Sequence, residues 1–389
     1  MRTLLHLALS IVFLGAATHQ AAAPDTRDAV EGQIDSLFVP ITAPGDPGAA
    51  VLVRKDGKMV FEKGYGVREL RTHRKIDPQT NFRLASFTKQ FTAMAIMLLV
   101  HDGKLRYEDN LPEIFPDFPA YGKTITVRHL LTHTSGLPDY EDLMEKEEKA
   151  KGPIWTVDHP IQDAEVLSLL EKQSTGKFAP GTSWAYSNSG YVVLGMIAAK
   201  VSGMPYRDFL ERRIFAPAGM PHSIAYQKGI NEVTERAFGH SKEKNKFVET
   251  DQSSTSATLG DGGVYANLED LAKWDEALWK HTLLNEIEMA PALTAVKLPD
   301  GSMPHWPKES DSDNLAPGKP VAYGFGWFLD PYNGRTRMWH SGSTMGFRTV
   351  IQRFTADGLT IVILSNRTDL DPKSLAESIA NRVLPPSRH

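Results

Sequence analysis

Ser86 and Lys89 stand three residues apart in Ser86-Phe87-Thr88-Lys89, just before the nearly unbroken apolar run Phe91 to Val100. Residues i and i+3 share one helix face, and helical side chains lean toward the N-terminus, so an amine at 89 reaches a hydroxyl at 86. The same helix end carries unpaired N–H groups and the positive pole of the helix dipole, which favour an alkoxide and the oxyanion that follows it. Nucleophile, proton acceptor and field thus come from four residues. The chemistry they suit is acyl transfer through a serine.

The pattern Ser-x-x-Lys occurs twice more, at Ser174 with Lys177 and at Ser241 with Lys244. The first runs into Gly176 and Pro180, and the second lies in the charged stretch Ser241 to Lys246. Neither opens a helix with an apolar face.

A Ser–Lys pair needs a group to finish proton transfer and a donor or acceptor to hold the substrate. Tyr186-Ser187-Asn188, between Pro180-Gly181 and an apolar run from Tyr191, fits a tight loop at a helix start. A second Tyr-x-Asn, Tyr265-Ala266-Asn267, is followed by Asp270 and reads as a helix N-cap instead. The third element is His340-Ser341-Gly342, in a strand-like segment that continues through Ser343. A glycine on an edge strand lets the backbone come close to a substrate, and the Ser343 N–H is suited to pair with that of Ser86 as an oxyanion hole. His101-Asp102-Gly103 has the same His-x-Gly spacing but reads as a helix stop.

Ser-x-x-Lys, Tyr-x-Asn and His-x-Gly, in this order and about 100 and 154 residues apart, resemble the signature of the serine β-lactamase and penicillin-binding-protein superfamily. The nearest likeness is the class C β-lactamase-like branch, which includes esterases, D-aminopeptidases and D,D-carboxypeptidases. Leu130 to Pro138 and Gly260 to Leu271 look like further family segments. The resemblance implies Ser86 as nucleophile, Lys89 as its base, Tyr186 as the relay that protonates the leaving group, and Asn188 as a holder of the substrate amide. It places His340, Gly342 and Ser343 at the substrate. His340 takes the position of the family's lysine, and imidazole near neutral pH is only partly charged, gaining charge toward about pH 6. Ester or peptide hydrolysis is therefore expected ahead of penicillin hydrolysis. The alternatives are a true β-lactamase or D,D-peptidase, or a penicillin-binding sensor that does not turn over.

The elements that must position these residues are visible as patterns. Residues 49–66 read as a β-hairpin, and Tyr323 to Leu329, Thr336 to Ser341, Thr349 to Phe354 and Leu359 to Leu364 read as four strands, with a closing helix Ser374 to Val383. Helical patterns fill about 84–290: Ser86 to Val100, Val127 to Thr134, Gln162 to Lys172, Gly190 to Val201, Tyr206 to Phe215 and Leu268 to Leu278. The expected fold is α/β (α+β) and β-lactamase-like: one antiparallel sheet from both chain ends (about 49–66 and 321–365), flanked by helices, with a mostly helical part inserted. Glu145 to Lys151 reads as a solvated face or loop, Ser310 to Asn314 as a surface loop, and His133 as a structural hydrogen-bonder. Asp139 and Tyr140 fall where the family's pocket rim would lie.

Met1 to Ala23 has the basic start, apolar middle and Ala21-Ala22-Ala23 end of a secretory leader, so one catalytic domain over 24–389, in the periplasm or secreted, is expected. The chain of 389 residues has no cysteine, which excludes disulfides and thiolate metal sites and suits a bacterial periplasm. A net charge of −4 with mixed signs offers no stripe for nucleic acid and no polybasic membrane patch. The 13 histidines show no metal-ligand spacing. The partner expected is a small molecule or peptide, with no cofactor, no metal and no membrane span.

Overall fold

The computed structural model describes residues 26–308 and 315–385; the expected leader and the Ser310–Asn314 loop lie outside the described residues. The hairpin forms where two apolar runs meet at a turn that needs left-handed backbone. Strands β1 (Ala49–Lys55) and β2 (Lys58–Tyr65) are joined through Asp56 (φ 51°) and Gly57 (φ 74°), the pair of positive φ angles that suits a two-residue hairpin. The chain end supplies β3 (Met338–Thr344), β4 (Phe347–Phe354) and β5 (Leu359–Ser365). All five make one antiparallel sheet in the order β2-β1-β5-β4-β3, with β1 and β5 in register from Ala49 opposite Ser365 to Lys55 opposite Leu359. The sheet is therefore built from both chain ends, and β3 is an outer strand.

The central strands are apolar without alternation because both faces are covered. Val51, Val53, Ile361 and Ile363 face helices α1 (Thr26–Phe38) and α5 (Pro372–Val383). Ala50, Leu52, Val362 and Leu364 face the inserted helical part. At its centre is α2 (Lys89–His101), buried on every side from Lys89 to Leu99, which is why its pattern is a solid apolar run and not a stripe. Two further helices frame it, α3 (Asn188–Ser202) and α4 (Leu268–Trp279).

Two sequence readings change. Tyr323 to Leu329 is not a strand: Tyr323 and Phe328 pair with each other, and Phe328 with Trp339, as isolated bridges. Gly326 (φ 75°) turns the chain back, and a Cβ there would lie 2.8 Å from the Lys89 carbonyl oxygen, so this turn presses on the start of α2. The charged run, read as a solvated face or loop, is a solvated face: it lies on a helix, Tyr140–Lys151, whose outer side carries Glu145–Lys149 and Glu147–Lys151 pairs. The helix read as Val127 to Thr134 ends at Leu131, because the chain turns left-handed at His133 (φ 59°).

One buried ionic group joins the two layers. Asp275, on α4 and 1 % exposed, accepts from Arg54 on β1 at 2.7 Å, Arg353 on β4 at 2.8 Å and Thr360 on β5 at 2.7 Å. Removing the carboxylate leaves two guanidinium groups buried without it. Asp275→Ala is expected to lower the unfolding free energy by about 3–5 kcal/mol, read as a shift of the urea midpoint; a loss under about 1 kcal/mol would show that the group does not tie the layers.

Candidate active site

The chain enters the site through a sharp turn. Strand residues Phe82–Arg83 lead to Ala85, buried and left-handed at φ 51°, and Ala85–Thr88 form one 3-10 turn before α2 begins at Lys89. A non-glycine residue in this region costs about 1–2 kcal/mol, so neighbours must hold it. They do: Leu84 N–H donates to the Val264 carbonyl at 2.8 Å, Thr349 Oγ1 donates to the Leu84 carbonyl at 2.7 Å, and Val264 N–H donates to Thr88 Oγ1 at 3.1 Å. The result is a half-buried Ser86 at the head of a helix that is buried from Lys89 to Leu99.

Lys89 is 0 % exposed, and its Nζ donates to Ser86 Oγ at 3.1 Å, Asn188 Oδ1 at 2.8 Å and the Asp261 carbonyl at 3.1 Å. Its charge also sits 4.8 Å from the centre of the Tyr186 ring and 5.4 Å from that of Tyr191. Ser187 caps α3 by accepting from the Gly190 N–H at 3.0 Å, which sets Asn188 at the first helical position and aims its amide at Lys89. The structure thus brings Ser86, Lys89, Tyr186 and Asn188 together. The Asp261 carbonyl is a member that sequence could not offer, since any residue type has a carbonyl.

Gly342 lies on β3 against the nucleophile turn: a Cβ there would stand 2.1 Å from the Leu84 carbonyl oxygen and 2.4 Å from Thr349 Oγ1. Only glycine allows this approach. Ser343, the next residue along the edge, is exposed.

His340 is placed otherwise than its sequence position suggests. It is 1 % exposed, with Nδ1 2.7 Å from the Ser341 carbonyl and Nε2 3.1 Å from the Tyr323 hydroxyl. A carbonyl only accepts, so Nδ1 carries the proton and Nε2 accepts from Tyr323. Burial first, then the charge of Lys89, pulls its pKa down to about 3, although the Ser341 carbonyl opposes the shift. The imidazole is neutral over the working range and faces the protein interior, so the expected gain of charge toward pH 6 does not occur.

The decoy motifs take structural places. Ser241 and Lys244 fall in a small hairpin, Asn267 caps α4 by accepting from Asp270 N–H at 2.9 Å, and Gly103 follows the end of α2. Asp139 is partly exposed and caps the Tyr140–Lys151 helix by accepting from the Glu141 N–H at 2.9 Å, while Tyr140 is buried with its hydroxyl 3.5 Å from Oδ2 of Asp261, the residue whose carbonyl bonds Lys89. Among the described residues no cluster of acidic or histidine side chains could hold a metal, and no helix is long and apolar enough to cross a membrane.

Two expectations follow. Gly342→Ala should cut activity at least about 100-fold, because the β3 edge must move away from Ser86 and displacements near 1 Å cost that much; an active Gly342→Ala enzyme would refute the close approach. For His340, the folded pKa lies below the unfolded value of about 6.5. Its contribution to stability is complete above that pH and is lost as pH falls from about 6.5 toward 3. The unfolding free energy of His340→Asn, which keeps a donor at the Nδ1 position, should fall less steeply over this window, by up to about 1.4 kcal/mol per pH unit. Equal slopes would mean that the imidazole is not held neutral.

Comparison with known proteins agrees with this geometry. Residues 34–384 match the Beta-lactamase family profile. The chain is 31% identical to Penicillin-binding protein 4* of Bacillus subtilis over 350 residues, which cover 86% of this chain and 72% of that protein. It is 27% identical to a D-aminopeptidase of Cereibacter sphaeroides over 348 residues, 87% of this chain and 60% of that one. Among solved structures, the penicillin-binding protein homologue from Pyrococcus abyssi superposes with a TM-score of 0.70 at 25% identity, over 91% of this chain and 75% of that chain. The chain belongs to the Beta-lactamase family.

Proposed function

We propose that this protein is an exported serine hydrolase that cleaves an ester or a peptide-like amide through an acyl-enzyme on Ser86. The observation that carries the reading is the hydrogen bonding of Lys89. Asn188 Oδ1 and the Asp261 carbonyl can only accept, so each engages an N–H of Lys89, whereas Ser86 Oγ, also within hydrogen-bond reach, can give up a proton. In its neutral form the amine carries a lone pair, and at 3.1 Å from Ser86 Oγ it is placed to take the Ser86 proton. Oγ attacks the substrate carbonyl and the tetrahedral oxyanion forms between the N–H groups of Ser86 and Ser343. The leaving group departs with a proton passed by way of Tyr186, whose ring lies beside the Lys89 amine. Water then attacks the ester on Ser86 and releases the acid.

The substrate reading rests on two supports. A buried neutral His340 offers no cation to a substrate carboxylate, which favours neutral esters and amides. The likeness to a D-aminopeptidase and to a penicillin-binding protein points to D-configured, peptide-like amides within that class. Export rests on the leader-like Met1 to Ala23 and the absence of cysteine.

The test is a panel of p-nitrophenyl esters, D-amino-acid amides, D-Ala-D-Ala peptides and a chromogenic cephalosporin, run on the wild type and on Ser86→Ala. At least one ester or amide should be turned over, Ser86→Ala should lose more than about a thousandfold, and a fluorophosphonate should label Ser86. A label on Ser174 or Ser241 sinks the assignment. Lys89→Ala and Tyr186→Phe should each cost nearly what the double variant costs, since both act on one proton path; a double loss equal to the product of the single losses would show that they act separately.

A further inference from the structure

Tyr186 stands between two residues that are both tied to His133. The His133 carbonyl accepts from the Ala185 N–H at 3.0 Å, and its ring Nδ1 accepts from the Ser187 N–H at 3.1 Å. The imidazole also packs on the Tyr186 ring, with centroids 4.5 Å apart, and is boxed in by the rings of Trp184, Tyr191 and Tyr323 at 5.5, 5.1 and 4.6 Å. We propose that His133 is a positioning residue for the Tyr186–Asn188 segment: its carbonyl and imidazole clamp the main chain on both sides of Tyr186, and thereby set the phenol and the Asn188 amide against Lys89.

The role goes beyond filling space. His133 is fully buried and holds a left-handed backbone at φ 59°, a conformation that persists in a non-glycine residue only when its surroundings over-determine it. Since Nδ1 accepts from a backbone N–H, the proton of the neutral ring sits on Nε2, which is buried with no hydrogen-bond partner among the described residues. A buried N–H left unbonded costs about 1–3 kcal/mol, so a plain apolar ring would pack here at lower cost. What only the imidazole supplies is the acceptor for Ser187. Burial, reinforced by the charge of Lys89, holds its pKa well below the usual histidine range, so the acceptor is not lost to protonation.

The proposal rests on the reading of Ser86, Lys89 and Tyr186 as acyl-transfer machinery, and the test separates the two. His133→Phe keeps a ring of similar size and removes the acceptor. His133→Asn returns an oxygen near the Nδ1 position and tolerates positive φ. With p-nitrophenyl acetate, and with fluorophosphonate labelling as a second readout, His133→Phe should lose about 100-fold in kcat with KM within about threefold. His133→Asn should regain at least tenfold of that loss, while circular dichroism and Tm show both variants folded. Should His133→Phe not fold, His133→Gly keeps the backbone angle and the carbonyl acceptor without the ring acceptor, and should fall as far below His133→Asn. An acceptor-free variant within threefold of wild type, or no better activity for Asn than for Phe or Gly, overturns the clamp. If Ser86→Ala itself stays active, the reading of the site fails instead, and the clamp with it.

Discussion

The constraint on which this structure turns is the complete burial of the Lys89 amine. A lysine nitrogen taken out of water is costly unless polar partners surround it. Here those partners come from three places: the turn that precedes α2, the first residue of α3, and the loop before α4. Each of those segments carries its own anchoring, so the amine acts as the common point of otherwise separate elements. Two aromatic faces complete the shell and exclude solvent, which keeps the hydrogen bonds short of competition from water.

That arrangement explains why so much of the neighbourhood is backbone under constraint. Ala85 and His133 are both left-handed without being glycine, and both lie immediately beside a residue or segment that must be aimed. Strain of this kind is held in place by packing and hydrogen bonds, here the Leu84–Val264 and Leu84–Thr349 bonds on one side and the Ala185 and Ser187 bonds on the other. The outer strand β3 closes the site from the opposite direction, close enough that position 342 has no room for a side chain. The sheet is stiffened behind it by the Asp275 group, so the edge that faces Ser86 is part of a rigid layer.

At the site, two histidines are turned inward. His340 and His133 occupy positions where a charged residue or a catalytic base could be imagined, yet each is buried, neutral and bonded to the protein. The positive field of Lys89 disfavours a second cation at both places. The site accordingly has one basic nitrogen directed at the nucleophile, supported by neutral polar groups.

How much of this was legible beforehand follows from the range of the physics involved. Sequence determined what is local: Ser86 and Lys89 on one turn, the hairpin over residues 49–66, the capping role of Asn267, the helix start after Tyr186-Ser187-Asn188, and the solid apolar run that had to be a buried helix. Order and spacing of three short motifs carried the family resemblance, because each motif marks a fixed place in the fold. Tertiary structure alone decided what depends on contacts between distant segments. The inward rotation of His340 needed Tyr323, the turn at Gly326 needed the start of α2 to press against, and one partner of Lys89 is a carbonyl that every residue possesses. His133 shows the division most clearly. Its type and neighbours suggested a structural hydrogen-bonder, which it is, but the pairing of its ring with Ser187, 54 residues away, exists only once the chain has folded.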